Sequence, residues 1–342
     1  ADGSLGSNTY KVDIGVGRLM ARTVTEMNQM INKIENYYAK DDINNILAQQ
    51  SNCGNTSEGT YGDWRTWVSF IADDGDKALH MNQSNKLANV LKASNPEYNQ
   101  EKIYLDSYQS VSTPGGIRYP DAVSELERRM KKGALVINYT GHGGELGLTE
   151  ERIVDVNSIN NWSNFNKLPL MITATCEFSR FDDPERTSAG EYVMLNPKGG
   201  AVSLFTTVRV AFAATNEYLN NILFKYLFST NLQGNKLTIG EVLKNTKADI
   251  GQATVYANFH LLGDPAVVLR YPKQKIVTTQ INSDTAKLVL KDTLGALKKV
   301  ILKGKIALKD SSLINTFNGI VYVTVFDKEQ NISCLINQPY SA

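Results

Sequence analysis

Apolar residues along this chain gather in short, nearly unbroken runs rather than alternating with polar ones. The main runs cover 67–72, 134–140, 168–175 and 199–207, with a shorter one at 102–106. A strand buried on both faces of a parallel sheet has this texture, because neither face meets water. Between the runs, apolar positions recur at helical spacing. Val24, Met27, Ile31, Ile34 and Tyr38 predict an amphipathic helix over 24–39. Thr23 and Glu26 stand at capping-box spacing before it, Thr238 and Glu241 repeat the pattern, and Thr187 or Ser188 caps a helix ending before Pro197. Pro120 and Asp121 open a helix that Gly133 closes. Residues 82–93 and 219–227 also read as helical, and 151–162 weakly so. Leu261 to Pro265 reads as a turn leading into the apolar 266–270. Strand and helix thus alternate from 64 to 270, which predicts an α/β sheet with crossover helices.

The texture changes at Tyr271-Pro272-Lys273. Strand-like runs at 276–281, 287–290, 300–308, 320–326 and 332–336 follow one another without helices. They predict a small all-β module, an immunoglobulin-like sandwich that is short at about 70 residues and stops inside its fold.

Composition narrows the field. With 342 residues, 42% hydrophobic and 21% charged, the chain has enough apolar material for one large domain and a small one. A net charge of +1 argues against nucleic acid as a partner. No apolar run approaches the ~20 residues of a membrane-spanning helix. The chain begins Ala1-Asp2-Gly3-Ser4, without Met or a signal-peptide core, and is expected to be cut from something longer.

Two of the apolar runs lead straight into reactive side chains. The run at 134–140 enters Gly141-His142-Gly143-Gly144, and the run at 168–175 enters Cys176. Ligands of parallel sheets sit outside the carboxyl ends of the strands. A His and a Cys at the ends of successive strands therefore meet at one edge, as a thiolate nucleophile beside its acid/base. The flanking glycines allow a tight turn and leave the Gly143 amide to face a developing oxyanion. Gly-His-Gly by itself says little, and a buried Cys is often a small core hydrophobe. The pairing on consecutive strands is what favours chemistry. His80 and His260 lack such surroundings, and Cys53 and Cys334 read as incidental thiols. Three sparse cysteines make no disulfide framework. With three histidines, no His-Glu-x-x-His and no paired Cys-x-x-Cys, no metal site is expected. Asp73-Asp74 ends the run at 67–72, so Asp73, or Asp74, is expected to orient the His142 ring. The acidic loop at 73–76 can take calcium as a structural ion, although its spacing matches no standard calcium loop.

Tyr139-Thr140-Gly141-His142-Gly143-Gly144, Ala174-Thr175-Cys176-Glu177, the run 201–207 and Leu262-Gly263-Asp264-Pro265 resemble the gingipain family of cysteine peptidases, over most of 10–272. Three stretches, 174–182, 187–191 and 199–210, with 317–327 in the β module, look most like the sortases of the type IX secretion system, the C-terminal signal peptidases of Bacteroidetes. The resemblance implies a caspase-like α/β fold in two catalytic subdomains, 1–130 and 131–272, with the immunoglobulin-like module at 273–342. It implies Cys176 as nucleophile, His142 as acid/base, the amides of Gly143 and Cys176 as oxyanion hole, and Asp73 as the third member. It places substrate contacts near Thr207 and Arg209, but this chain departs from the gingipains there, so Arg or Lys specificity does not transfer. It further implies no catalytic cofactor and protein substrates carrying C-terminal sorting domains. An amine-bearing glycolipid acceptor, other secretion components and a cell-surface, outer-membrane-associated location go with it. A general secreted endopeptidase and an inactive binding scaffold are the competing readings.

Overall fold

In the computed structural model the apolar runs become neighbours in one six-stranded sheet. The structure describes residues 12–38, 62–250, 257–272, 274–282, 284–285, 295, 297–308, 312–317 and single positions 321, 323, 325, 332 and 334. In chain order the elements are α1 (Val24–Tyr38), β1 (Trp67–Ala72), α2 (Leu79–Ser94), β2 (Asn99–Tyr104), a hairpin β3 (Val111–Thr113) and β4 (Gly116–Arg118), and α3 (Pro120–Lys132). There follow β5 (Val136–Thr140), the small strands β6 (Gly143–Gly144), β7 (Gly147–Leu148) and β8 (Val154–Asp155), and α4 (Val156–Asn161). Then come β9 (Leu170–Ala174), α5 (Ala189–Leu195), β10 (Ser203–Thr207), α6 (Ala213–Leu227), α7 (Ile239–Ile250) and β11 (Phe259–Leu262). The small unit holds β12 (Gln274–Ile281), β13 (Asp284–Thr285) and β14 (Leu302–Leu308).

Local chemistry sets the helix starts. Thr23 Oγ1 accepts the Glu26 N–H at 3.1 Å while the Glu26 carboxylate accepts the Thr23 N–H at 3.0 Å. Thr238 and Glu241 do the same at 3.1 and 2.8 Å. Ahead of α5, the Glu191 carboxylate takes both the N–H and the hydroxyl of Ser188. Gly133 stops α3 at a φ of 82°, which a side chain disfavours.

The sheet runs β11-β10-β9-β5-β1-β2, parallel except where β11 pairs antiparallel with β10. From β1 the chain moves outward to β2, returns to the other side of β1 as β5, and continues outward through β9. The reversal between β1 and β5 is the switch point at which α/β sheets hold ligands. One face buries Ile71, Ile137, Tyr139 and Met171 under Met30, Leu126, Met130 and Val193 of α1, α3 and α5. On the other, α2 and α6 pack over β1, β5 and β9, with Phe70 and Phe224 at 5.7 Å between ring centroids. Each such side chain contributes roughly 1.5–3 kcal/mol by leaving water, which makes the strand ends a firm platform.

Three expectations change. The expected turn at 261–265 begins inside a strand, because Leu261 and Leu262 are the last two residues of β11. Leu261 and Leu262 pair with Phe205 and Leu204, and Arg18 lies on their far side, where its N–H reaches Leu261 O at 3.0 Å. The weak helix at 151–162 is a short hairpin followed by the six-residue α4. Cys334, assigned by pattern to the β module, is buried beside Met81 of the large unit, Sγ to Sδ 3.4 Å.

By compactness, Ala1–Arg270 and Asn331–Ala342 form one unit and Tyr271–Gln330 another. Within the second, β12 lies between β13 and β14 in an antiparallel sheet with a bulge between Thr278 and Gln280. Among the described residues no second layer faces it, so the sandwich expected there is not shown. The expected strands at 287–290, 320–326 and 332–336, and Cys53, lie wholly or largely outside the described residues.

Candidate active site

Register brings the expected residues together. Ala72, Thr140 and Ala174 are level partners at the ends of β1, β5 and β9. Asp73, His142 and Cys176 therefore leave three adjacent strands at one edge, beside the switch point. The Cys176 thiol is partly exposed and lies against the main chain of Ala211, donating to its oxygen at 3.3 Å and receiving its N–H at 3.4 Å. The chain turns sharply after it. Glu177 adopts φ 49°, a left-handed conformation costing about 1–2 kcal/mol in a non-glycine residue, and its N–H is held by Arg209 O at 3.3 Å.

His142 is fixed through its backbone. Its carbonyl accepts from the Tyr139 hydroxyl and from the Thr149 N–H at 3.0 Å, and its N–H donates to Asp73 Oδ2 at 2.8 Å. The ring, half exposed, puts Nε2 3.2 Å from Asp76 Oδ2. Gly143 explains why a side chain is unwelcome next to it. A Cβ there would lie 2.6 Å from Thr175 Oγ1, so the turn after β5 packs directly on the residue before Cys176.

The acid differs from expectation. Asp73 binds the His142 amide, and Asp74 accepts the Tyr119 hydroxyl at 2.6 Å. The carboxylate at the ring is Asp76. It gets there because Asp76, Lys77 and Ala78 are consecutively left-handed (φ 57°, 55° and 63°), folding the loop back over His142. Burial pushes the Asp73 carboxyl up, to about 7, against the downward pull of the His142 amide.

His80 is the residue that sequence reasoning missed. Its ring meets that of His142 edge to face, centroids 5.1 Å apart, and its Nε2 is 3.3 Å from the same Asp76 oxygen. The one trace in the sequence is Asp76 four residues earlier on the same turn. Burial, then His142, lowers the His80 pKa. His260 lies on β11 with its ring edge-on to Phe181, and burial lowers its pKa to about 4.

The two expected substrate contacts point elsewhere. Thr207 is fully buried and donates its hydroxyl to Thr175 O, so it braces the strand under Cys176. Arg209 grips Asp182 with both guanidinium nitrogens. The open groove instead follows the small sheet β6–β8. It is a depression of about 860 Å³ bordered by His142, Gly143, Glu145, Glu177 and Arg186, with the exposed Leu146 at its rim. Around Asp73, two groups of side chains bring metal-ligand atoms within 4.8 Å of one another. One is Asp73, His80 and His142, the other Asp73, Asp74 and Glu151, whose all-carboxylate set is the donor type calcium takes.

The family model described as peptidase family C25 matches residues 2–270. The chain belongs to peptidase family C25. Among solved structures, that of the Arg-specific cysteine proteinase gingipain R matches with a TM-score of 0.55 at 16% identity, over 77% of this chain and 57% of that one. The complex of pro- and mature domains of RgpB from Porphyromonas gingivalis matches at 0.55 and 18%, over 81% and 62%. This chain thus shares the family's caspase-like α/β fold and spans less than two thirds of those relatives. The dimeric latent PorU from P. gingivalis aligns with a TM-score of 0.21 at 13% identity, over 74% of this chain and 34% of that one, which carries no argument. Comparison with curated protein sequences found no match.

Proposed function

We propose that the chain is the catalytic part of a cysteine endopeptidase, with Cys176 as nucleophile and His142 as acid/base. The observation that carries this reading is the level placement of the two residues at the ends of the neighbouring parallel strands β5 and β9. The Ala211 N–H donates to the sulfur at 3.4 Å and holds it at the strand end. Asp76 keeps a proton on His142 Nε2 and leaves Nδ1 to exchange protons with the reactants. The thiolate adds to the peptide carbonyl carbon, and the amides of Gly143 and Cys176 receive the oxyanion. Collapse breaks the C–N bond, His142 protonates the departing amine, and a thioester remains. A second nucleophile then gives its proton to His142, adds to the thioester and releases the sulfur. Water yields a free acid and an amine yields a new amide.

Within that chemistry we assign the substrates as secreted proteins with C-terminal sorting domains, and the second nucleophile as water or the amine of a surface glycolipid. The support is the resemblance of 174–182, 187–191 and 199–210 to type IX sortases. This reading puts the protein at the outer surface of a Gram-negative cell, among other secretion components. A general endopeptidase is the second reading, favoured by the structural likeness to gingipain R.

The test has two stages. Iodoacetamide near neutral pH should alkylate Cys176 before Cys334, and Cys176→Ala should lose all cleavage. Inert Cys176, or cleavage by the Ala variant, overturns the nucleophile assignment. A sorting-domain fusion is then incubated with and without an amine acceptor, and the products are weighed by mass spectrometry. Cleavage confined to the fusion, with amide formed when amine is present, supports the sortase reading. Broad digestion of denatured protein supports the second.

A further inference from the structure

The spacing of histidines along the chain predicts no metal site, yet the fold assembles one from distant residues. His80 comes from the first turn of α2, His142 from the end of β5, and Asp73 from the end of β1. Their ligand atoms lie within 4.8 Å of one another. A single Asp76 oxygen stands 3.3 Å from His80 Nε2 and 3.2 Å from His142 Nε2. His80 is 4% exposed, its Nδ1 has no hydrogen-bond partner, and its Nε2 reaches only the Asp76 carboxylate. A buried ring nitrogen without a partner is costly unless something else satisfies it. Its neighbours are another imidazole and carboxylates rather than a donor–acceptor network. His142 is half exposed, so the cluster opens to solvent on one side.

We propose that Asp73, His80 and His142, with Asp76 closing the set, form a binding site for a divalent transition metal of the zinc type, and that its occupation switches the enzyme off. Two imidazoles with one or two carboxylates are a zinc donor set, whereas calcium and magnesium take oxygen alone. Donors on tetrahedral zinc stand about 3–3.5 Å apart, given metal–ligand bonds near 2.0–2.2 Å. A modest inward movement of the 73–78 loop is enough to close the site. The consequence follows from imidazole chemistry. When the metal takes the Nε2 lone pair of His142, the single ring proton of the neutral imidazole resides on Nδ1. No lone pair then remains to accept a proton from Cys176, and the Asp76 carboxylate is drawn to the metal. The inhibition, though not the binding, rests on His142 being the acid/base. This site is separate from the usual capture of zinc by a thiolate, because Cys176 is not among its ligands.

Binding is measured on Cys176→Ala protein, so that neither thiolate capture nor activity enters. Calorimetric titration with Zn²⁺ should give one site per chain, and Co²⁺ should give the intense visible absorption of a four-coordinate complex. In that background His80→Gln should weaken Zn²⁺ by about tenfold or more. Asp76→Asn, half exposed and thus safe for folding, should weaken it in the same direction. In the cysteine-containing protein, added Zn²⁺ should inhibit and a chelator should restore cleavage. Loss of Zn²⁺ binding on removing Cys176 overturns the proposal and gives the metal to the thiolate. Binding undiminished in both the His80→Gln and Asp76→Asn proteins overturns it as well. An active enzyme that binds one Zn²⁺ at the His80 site without inhibition overturns the switch.

Discussion

The Asp73 carboxylate takes the backbone N–H of His142 at 2.8 Å and leaves the His142 ring to another acid. Asp73 is thus a bracket for the peptide that carries the base. Its second oxygen faces the Gly75 N–H at 3.3 Å, so the same side chain also starts the loop that delivers Asp76. Asp73→Ala would leave the part-buried His142 amide without its acceptor, at a cost of about 1 kcal/mol. It would also let His142 drift, and a displacement of about 1 Å costs roughly a hundredfold in rate. Asp73→Asn keeps an acceptor oxygen and removes a charge that burial disfavours. Its stability is expected closer to the parent than that of Asp73→Ala. Urea unfolding of the two variants checks this, and equal losses in both would contradict the bracket.

Asp76 gives the complementary result. It is half exposed, so Asp76→Asn should change unfolding free energy by no more than about 0.5 kcal/mol. Its chemical effect is larger, because an amide does not stabilise the imidazolium that forms as His142 takes a proton. A drop of about tenfold or more in kcat, with KM little changed, is expected on a peptide substrate. A kcat equal to that of the parent would remove Asp76 from the machinery.

The contrast between these two acids shows where the sequence is informative. β1, β5 and β9 were readable because strands buried on both faces must be continuously apolar, and the parallel register then levels His142 with Cys176. Asp76 was not readable, since its position depends on three successive left-handed residues, none of them glycine. His80 looked like an ordinary helix residue, because its partner His142 comes from a different strand end. Arg209 was placed near the substrate by family resemblance alone, and its partner Asp182, 27 residues away, left no trace in the pattern. β11 was missed because four residues of an antiparallel edge strand leave little pattern beside Gly263 and Pro265. Burial of whole elements leaves a periodic trace in sequence, and contacts between loops do not.

Gly143 tests how closely the two strand ends approach. A Cβ 2.6 Å from Thr175 Oγ1 forces the β5 turn away from Cys176. Gly143→Ala should lose about 1–3 kcal/mol of stability by overpacking and about a hundredfold or more in kcat through the displaced amide. Thr175 Oγ1 is buried without a hydrogen bond, so Thr175→Ala by itself is mild and opens the needed space. The double variant should recover part of both losses. Strict additivity of the two single effects, measured by a double-mutant cycle, would show that the contact does not exist in solution.

The last prediction lies away from the cleft. Lys33 on α1 is 3% exposed, and its ammonium donates to Met194 O at 2.9 Å and Val193 O at 3.4 Å, the end carbonyls of α5. Burial lowers its pKa to about 7. In the unfolded chain a lysine keeps its proton up to about pH 10.4. Between these values the unfolded state binds more protons than the folded one, so this group makes stability rise with pH from about 7 upward. Below pH 7 it is charged in both states, and the full cost of burying the ammonium remains. Lys33→Met fills the same space without a charge. It should stabilise the protein most near pH 6, by on the order of 1–3 kcal/mol. The advantage should shrink as pH climbs, because the parent loses its penalty while the variant still lacks the two hydrogen bonds. Melting temperatures of both proteins across pH 6 to about 10 give the comparison. A difference that is constant with pH would mean that Lys33 titrates alike in the folded and unfolded chains.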